Sequence, residues 1–189
     1  MKLLKEKELL RREVLNKIKG LSPDYMESSS KEICKKVMES KEYKEARTVF
    51  TFVGRPWEID TLPIIEDALE KGKILCVPKC ISKGIMEARQ ITDLSQLEER
   101  KLGLLEPGDS SPLIKPHDIE FTLVPCLTCD LSGRRLGFGG GFYDRYLKDA
   151  PFVSYMVCRE ALISPKVPIA PYDIIPHGLI TEKRMLFFK

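Results

Sequence analysis

Four glycines, three arginines, two adjacent aromatics and a carboxylate share the twelve residues Arg134-Arg135-Leu136-Gly137-Phe138-Gly139-Gly140-Gly141-Phe142-Tyr143-Asp144-Arg145. The apolar run Phe121-Thr122-Leu123-Val124-Pro125 before them reads as a buried strand, and Phe142 to Leu147 has helical spacing. A glycine-rich turn between strand and helix lets backbone approach a ligand closely and aims N–H groups at an anion. Flanking arginines add charge and bidentate donors, and the rings offer a surface for a flat group. Such a loop suits a phosphorylated ligand beside a planar one. It is neither of the two familiar phosphate loops. The chain lacks the Gly-x4-Gly-Lys-Ser/Thr run, and Phe142 stands where the dinucleotide fingerprint needs its third glycine. A plain turn needs one or two glycines and no cluster of arginines.

Other residues with chemical potential are scattered. Lys7 and Arg11 are four apart in a helical stretch, so they share a face that is either solvated or able to hold a polyphosphate. Trp57, the single tryptophan, and Glu58 sit in a loop after a strand, where a ring can act as a lid and a carboxylate can meet a ligand. Asp144 either complements the dipole of the helix it begins or offers oxygen to Mg2+. Asp173, in Pro171-Tyr172-Asp173, is ambiguous in isolation, and His177 reads as a structural histidine. Cys126 and Cys129 form a Cys-x2-Cys pair at a strand end, and Cys76 and Cys80 lie four apart. Neither pair has the knuckle sequence or the nearby histidines of a structural zinc site, so buried free thiols are expected.

The elements that must position these residues alternate in type. Helices are expected over residues 2–19, closed by Gly20, and after the cap Ser22-Pro23-Asp24. A strand over residues 48–53, a helix capped by Asp60 or Thr61 and closed by Gly72, and a strand over residues 73–78 make a βαβ unit. Residues 86–91 read as a weaker strand and 103–118 as a long loop. Residues 152–157 and 185–188 read as later strands. This order implies an α/β fold, one three-layer domain over residues 1–189. Its central sheet is mostly parallel and flanked by helices, with ligands at the carboxyl ends of strands.

Composition is that of an ordinary soluble globular protein. The chain is 43% hydrophobic and 31% charged, and its net charge of +3 suits a small anionic ligand better than nucleic acid. No apolar run approaches a membrane span, and Met1 to Glu8 mixes charges without the apolar centre of a signal peptide. A cytoplasmic protein with no membrane or nucleic-acid partner is expected.

Taken together, the motifs resemble those of the 5-formyltetrahydrofolate cyclo-ligase (methenyltetrahydrofolate synthetase) family. Arg135 to Asp144 matches its Arg-Leu-Gly-x-Gly-x-Gly-(Tyr/Phe)-Tyr-Asp signature, Lys7 to Arg11 its early basic pair, and Glu58-Ile59-Asp60-Thr61 its Glu-(Ile/Val)-(Asp/Glu)-Thr element. Val167-Pro168 to Asp173 matches its late Val-Pro-x4-Asp element. Cys126, Cys129 and Phe142 depart from common family residues, but no charged position does. The resemblance implies ATP- and Mg2+-dependent conversion of 5-formyltetrahydrofolate to 5,10-methenyltetrahydrofolate by a monomer. It further implies that Lys7, Arg11, Arg135, Leu136, Gly137, Phe138, Gly139, Gly140, Gly141, Phe142 and Tyr143 hold ATP. Val53, Glu58 and Phe138 to Phe142 would line the folate site, and Asp144 and Asp173 would position Mg2+. A sugar-phosphate isomerase or CoA-transferase-like enzyme, or a non-catalytic nucleotide-binding regulator, are the competing classes.

Overall fold

The apolar runs form the centre of an eight-stranded sheet in the computed structural model, which describes residues 2–100, 103–148 and 150–188. Both ends of the expected 1–189 span, Met1 and Lys189, lie outside the described residues. The chain opens with α1 (Lys2–Lys19), α2 (Pro23–Glu39) and α3 (Lys41–Glu45). The expected βαβ unit follows as β1 (Thr48–Phe50), α4 (Leu62–Glu70) and β2 (Ile74–Ser82). Next come β3 (Ile85–Ile91), β4 (Leu97–Glu99), β5 (Leu105–Pro107), β6 (Leu113–Ile114) and β7 (Phe121–Pro125). The chain ends with β8 (Thr128–Cys129), β9 (Arg135–Leu136), α5 (Phe142–Leu147), β10 (Val153–Val157), β11 (Gly178–Ile180) and β12 (Met185–Phe187).

The main sheet has the order β12-β11-β10-β7-β1-β2-β3-β6. Its five inner strands, β11 to β2, run parallel, and β12, β3 and β6 add antiparallel edges. Strand side chains alternate between faces, and that alternation builds the expected three layers. Val49, Leu75, Leu123 and Tyr155 pack with Ile33, Val37, Ile64 and Ile65 of α2 and α4. Phe50, Cys76, Val124 and Met156 pack with Val14 and Ile18 of α1 and Leu147 of α5. Phe121 sits edge-on to Tyr43 at 6.0 Å and to Tyr155 at 5.4 Å, tying helix and sheet together.

Several local expectations are corrected. β1 ends at Phe50, three residues early, because the chain turns out of the sheet into the Phe52–Glu58 loop. Thr61, one of the two expected caps, is the N-cap residue of α4, but its hydroxyl donates to the Phe52 carbonyl, and Asp60 Oδ1 accepts from Leu62 N–H at 3.0 Å instead. Residues 103–118 are not one loop, since β5 pairs with β4 and β6 with β3. The glycine loop does not follow β7 directly either. A β8–β9 hairpin intervenes, its turn held by Asp130, which accepts from Ser132 N–H, Arg134 N–H and Val167 N–H.

Candidate active site

The turn out of β1, the end of β7, the glycine loop and the face of α1 meet around a cavity of about 440 Å3. Lys7, Arg11, Val53, Glu58, the whole run Arg135 to Asp144, and Asp173 all line it. Residues separated by up to 166 positions are thus brought to one place, at the carboxyl side of the parallel strands. A larger cavity of about 880 Å3 adjoins it along the Val53–Glu58 loop and shares Val53, Arg55 and Glu58 with it.

The glycines allow close approach of backbone and arginines. Gly139 has φ +98° and Gly141 φ +66°, both left-handed values that side chains disfavour. A Cβ on Gly140 would come within 2.6 Å of the Phe142 ring. Arg11 Nε donates to the Gly137 carbonyl at 2.9 Å, and Arg145 Nη1 to the carbonyls of Gly140 and Gly141, each at 3.1 Å. Two helices therefore brace the loop, α1 through Arg11 and α5 through Arg145.

Opposite charges line this cavity in pairs. Lys7 is buried and forms an ion pair with Asp173, so it does not lie on a solvated face. Arg135 Nη2 reaches Asp144 Oδ1 at 2.9 Å, and Arg55 Nε reaches Glu58 Oε2 at 2.9 Å. Asp144 Oδ1 also accepts from Ile174 N–H at 3.2 Å, so its role extends beyond the dipole of α5. Asp173 is held in its turn by Ala170 N–H donating to Oδ2 at 2.7 Å. Among the described residues, Arg11 makes no ion pair. Buried donors also remain, for Arg135 Nε and the Tyr143 hydroxyl have no partner within the protein. Burial first, and the nearby Glu58 charge second, push the Tyr143 phenol above its ordinary pKa, so it stays a neutral donor.

Three residues outside the sequence-derived set shape the site. The Arg55 guanidinium lies 4.8 Å from the Trp57 ring and 4.3 Å from the Phe138 ring, a cation between two aromatic faces. Trp57 therefore stacks on a site residue while also lining the larger adjoining cavity. Arg159, only 3% exposed, donates to the carbonyls of Trp57 at 3.1 Å and Glu58 at 2.9 Å, and to Ser29 and Ser30 of α2. It clamps the Glu58 loop to the helix layer. Lys79 is the third, buried and bonded to the Pro107 carbonyl at 2.9 Å, which fixes β5 beside β2. Arg55 had a sequence signal in its spacing from Glu58, whereas Arg159 had none. His177 lies outside the cavity and accepts from Ser154 N–H at 3.2 Å, the structural role expected of it.

All six cysteines are free thiols, as expected, and Cys34, Cys76, Cys129 and Cys158 are buried. Cys76 and Cys80 lie within β2 rather than at a strand end, and Cys80 is exposed. Burial, and then a hydrogen bond to Glu106, push the Cys80 thiol up to about 12. Cys126 is half-buried and meets Cys129 and a third thiol, Cys158. Burial opposes its ionisation, but hydrogen bonds from Cys129 and Cys158, the Arg135 charge and the Leu136 N–H together hold its thiol well below the ordinary value.

Residues 4–181 match the 5-formyltetrahydrofolate cyclo-ligase family. A probable 5-formyltetrahydrofolate cyclo-ligase of Schizosaccharomyces pombe is 35% identical, over 97% of this chain and 98% of its own length. This chain belongs to the 5-formyltetrahydrofolate cyclo-ligase family. The cyclo-ligase of Escherichia coli is 27% identical over 88% of this chain and 95% of its own length. Among solved structures, the 5,10-methenyltetrahydrofolate synthetase of Aquifex aeolicus superposes with a TM-score of 0.86 at 28% identity, over 97% of this chain and 93% of its own. The synthetase of Mycoplasma pneumoniae shares the fold, with a TM-score of 0.76 at 19% identity over 94% of this chain and 99% of its own. The cyclo-ligase fold is therefore the one described above, and the chain is an enzyme of this family.

Proposed function

We propose that the chain, acting as one domain, converts 5-formyltetrahydrofolate to 5,10-methenyltetrahydrofolate with hydrolysis of ATP to ADP and phosphate. The observation that carries this reading is the gathering of Lys7, Arg11, Val53, Glu58, Arg135 to Asp144 and Asp173 around one cavity. Lys7, Arg11, Arg135 and the N–H groups of residues 136–143 hold the triphosphate. Val53, Glu58 and the rings of Phe138 and Phe142 line the folate side, with Glu58 facing the pterin near N5.

The residue types suit Mg2+. Within the protein, the bonds to Asp144 fall on Oδ1 and those to Asp173 on Oδ2, so each carboxylate keeps an oxygen for a hard cation. When bound there, Mg2+ neutralises developing phosphate charge. The formyl oxygen of an N5-formyl group is a poor leaving group because the group is an amide. It attacks the γ-phosphorus, the bond to the β-bridging oxygen breaks, and ADP leaves. N10 then adds to the activated formyl carbon, its proton passes to solvent, and the tetrahedral carbon expels phosphate as the ring closes. The protein supplies position and charge, which dominate phosphoryl transfer. N10 attacks as a free amine, so no general base is assigned.

Asp144→Asn tests the metal role. Asparagine keeps an oxygen for Arg135 but loses the charge that attracts a divalent ion. Turnover should fall strongly and need more Mg2+ for half-maximal rate, with a near-normal melting temperature. Wild-type turnover at limiting Mg2+ in a folded variant would contradict it.

A further inference from the structure

Cys126 follows β7, Cys129 closes β8, and Cys158 follows β10. No sequence spacing joins the third to the first two, yet the fold brings the three sulfurs within 4.8 Å of one another. They are the only trio of such ligand side chains so placed among the described residues. Cys129 and Cys158 are buried and Cys126 is half-buried, on the border of a small cavity behind Phe138.

We propose that Cys126, Cys129 and Cys158 form a binding site for one thiophilic closed-shell metal ion, copper(I) or zinc(II). Metal–sulfur bonds of about 2.3 Å set ligand sulfurs about 4 Å apart, so the trio must contract by less than about 1 Å. Side-chain rotation supplies that much without moving the strands. The donor set is thiolate alone, which selects soft or borderline ions and rejects Mg2+. On binding, each sulfur coordinates as thiolate, and the protons of those that are thiols pass to solvent as the sulfur–metal bonds form. The site is then left with one negative charge for zinc(II) or two for copper(I). Arg135 stands opposite Cys129 in the β8–β9 hairpin, with its buried Nε lacking a partner and its Nη2 bonded to Asp144. Cys158 also directly precedes Arg159, the clamp on the Glu58 loop. The trio thus lies beneath both halves of the candidate active site, yet is separate from its carboxylates. Copper(I) is satisfied by three sulfurs in a plane, whereas zinc(II) needs a fourth ligand, which water can supply.

The test uses the full chain, reduced and free of oxygen. Copper(I) is titrated in competition with a copper(I) chelator, and zinc(II) with a zinc-sensitive dye. Metal-edge X-ray absorption then reads the ligands of whichever ion binds. Expected is one ion per chain with a three-sulfur shell, alone for copper or with one oxygen for zinc, and a raised melting temperature. Cys126→Ser, Cys129→Ser and Cys158→Ser should each weaken binding at least 100-fold, while Cys80→Ser, which removes the exposed thiol, should bind as wild type. Absence of stoichiometric binding of either ion overturns the proposal, as does affinity that survives all three substitutions. Where a buried substitution fails to fold, the wild-type spectrum decides alone. A shell dominated by nitrogen and oxygen overturns the proposal.

Discussion

Lys7 and Arg11 project from the same face of α1 into the cavity but differ in what their removal leaves behind. Lys7→Ala strands the Asp173 carboxylate, whose side chain is only 10% exposed, and losing one partner of a buried pair costs about 3–5 kcal/mol. Arg11→Ala leaves no carboxylate stranded. Both should weaken ATP use by roughly tenfold to a hundredfold, since a charge-assisted contact is worth about 1.5–3 kcal/mol. Only Lys7→Ala should lower the melting temperature appreciably. Unchanged ATP Michaelis constants in both would remove α1 from the nucleotide site. Glu58→Gln keeps shape but breaks the charge pair with Arg55 and loses one acceptor oxygen. Affinity for 5-formyltetrahydrofolate should drop by about 1–3 kcal/mol in a titration, with ATP affinity unchanged. Loss within about 0.5 kcal/mol would be that of a surface glutamate. At this scale the motif residues were legible because glycines, arginines and carboxylates stand at characteristic spacings. Arg159 was not, because its five hydrogen bonds go to residues at least 101 positions away.

At the scale of elements, legibility followed length. α1 and α2 span four or more turns, and β7 is a continuous apolar run, so periodicity exposes them. β6, β8 and β9 are two residues each, too short to show any period. The β8–β9 hairpin nevertheless carries Arg135, and Asp130 holds its turn. Burial alone would raise the Asp130 pKa, but bonds from Ser132, Val167 and Arg134 outweigh it and hold the carboxyl below its ordinary value. A depressed folded-state pKa adds stability above the unfolded value, and that stability is lost as pH falls through the folded one. Asp130→Asn should therefore cost about 1–3 kcal/mol near neutral pH. The difference should shrink as pH drops below about 3.9, where the unfolded carboxyl protonates. Urea unfolding of both proteins across that range checks this, and a deficit independent of pH would mean the charge contributes nothing.

For the whole molecule, the five parallel strands matter most, because their carboxyl ends aim the β1 and β7 turns at one point. The alternation of strands and helices announced that sheet, but not which distant residues would meet above it. Pairs such as Lys7 with Asp173 arise only when α1 is packed against the sheet. The same packing gathered three cysteines whose meeting no spacing foretold. The central claim concerns catalysis by this assembled cavity, and one assay addresses it. Purified protein is mixed with 5-formyltetrahydrofolate, ATP and Mg2+, and methenyltetrahydrofolate is followed by absorbance alongside ADP release. Product and ADP should rise together in equal amounts, and omission of ATP or of Mg2+ should abolish both. No absorbance change above a protein-free control, or product formed equally well without ATP, would contradict it.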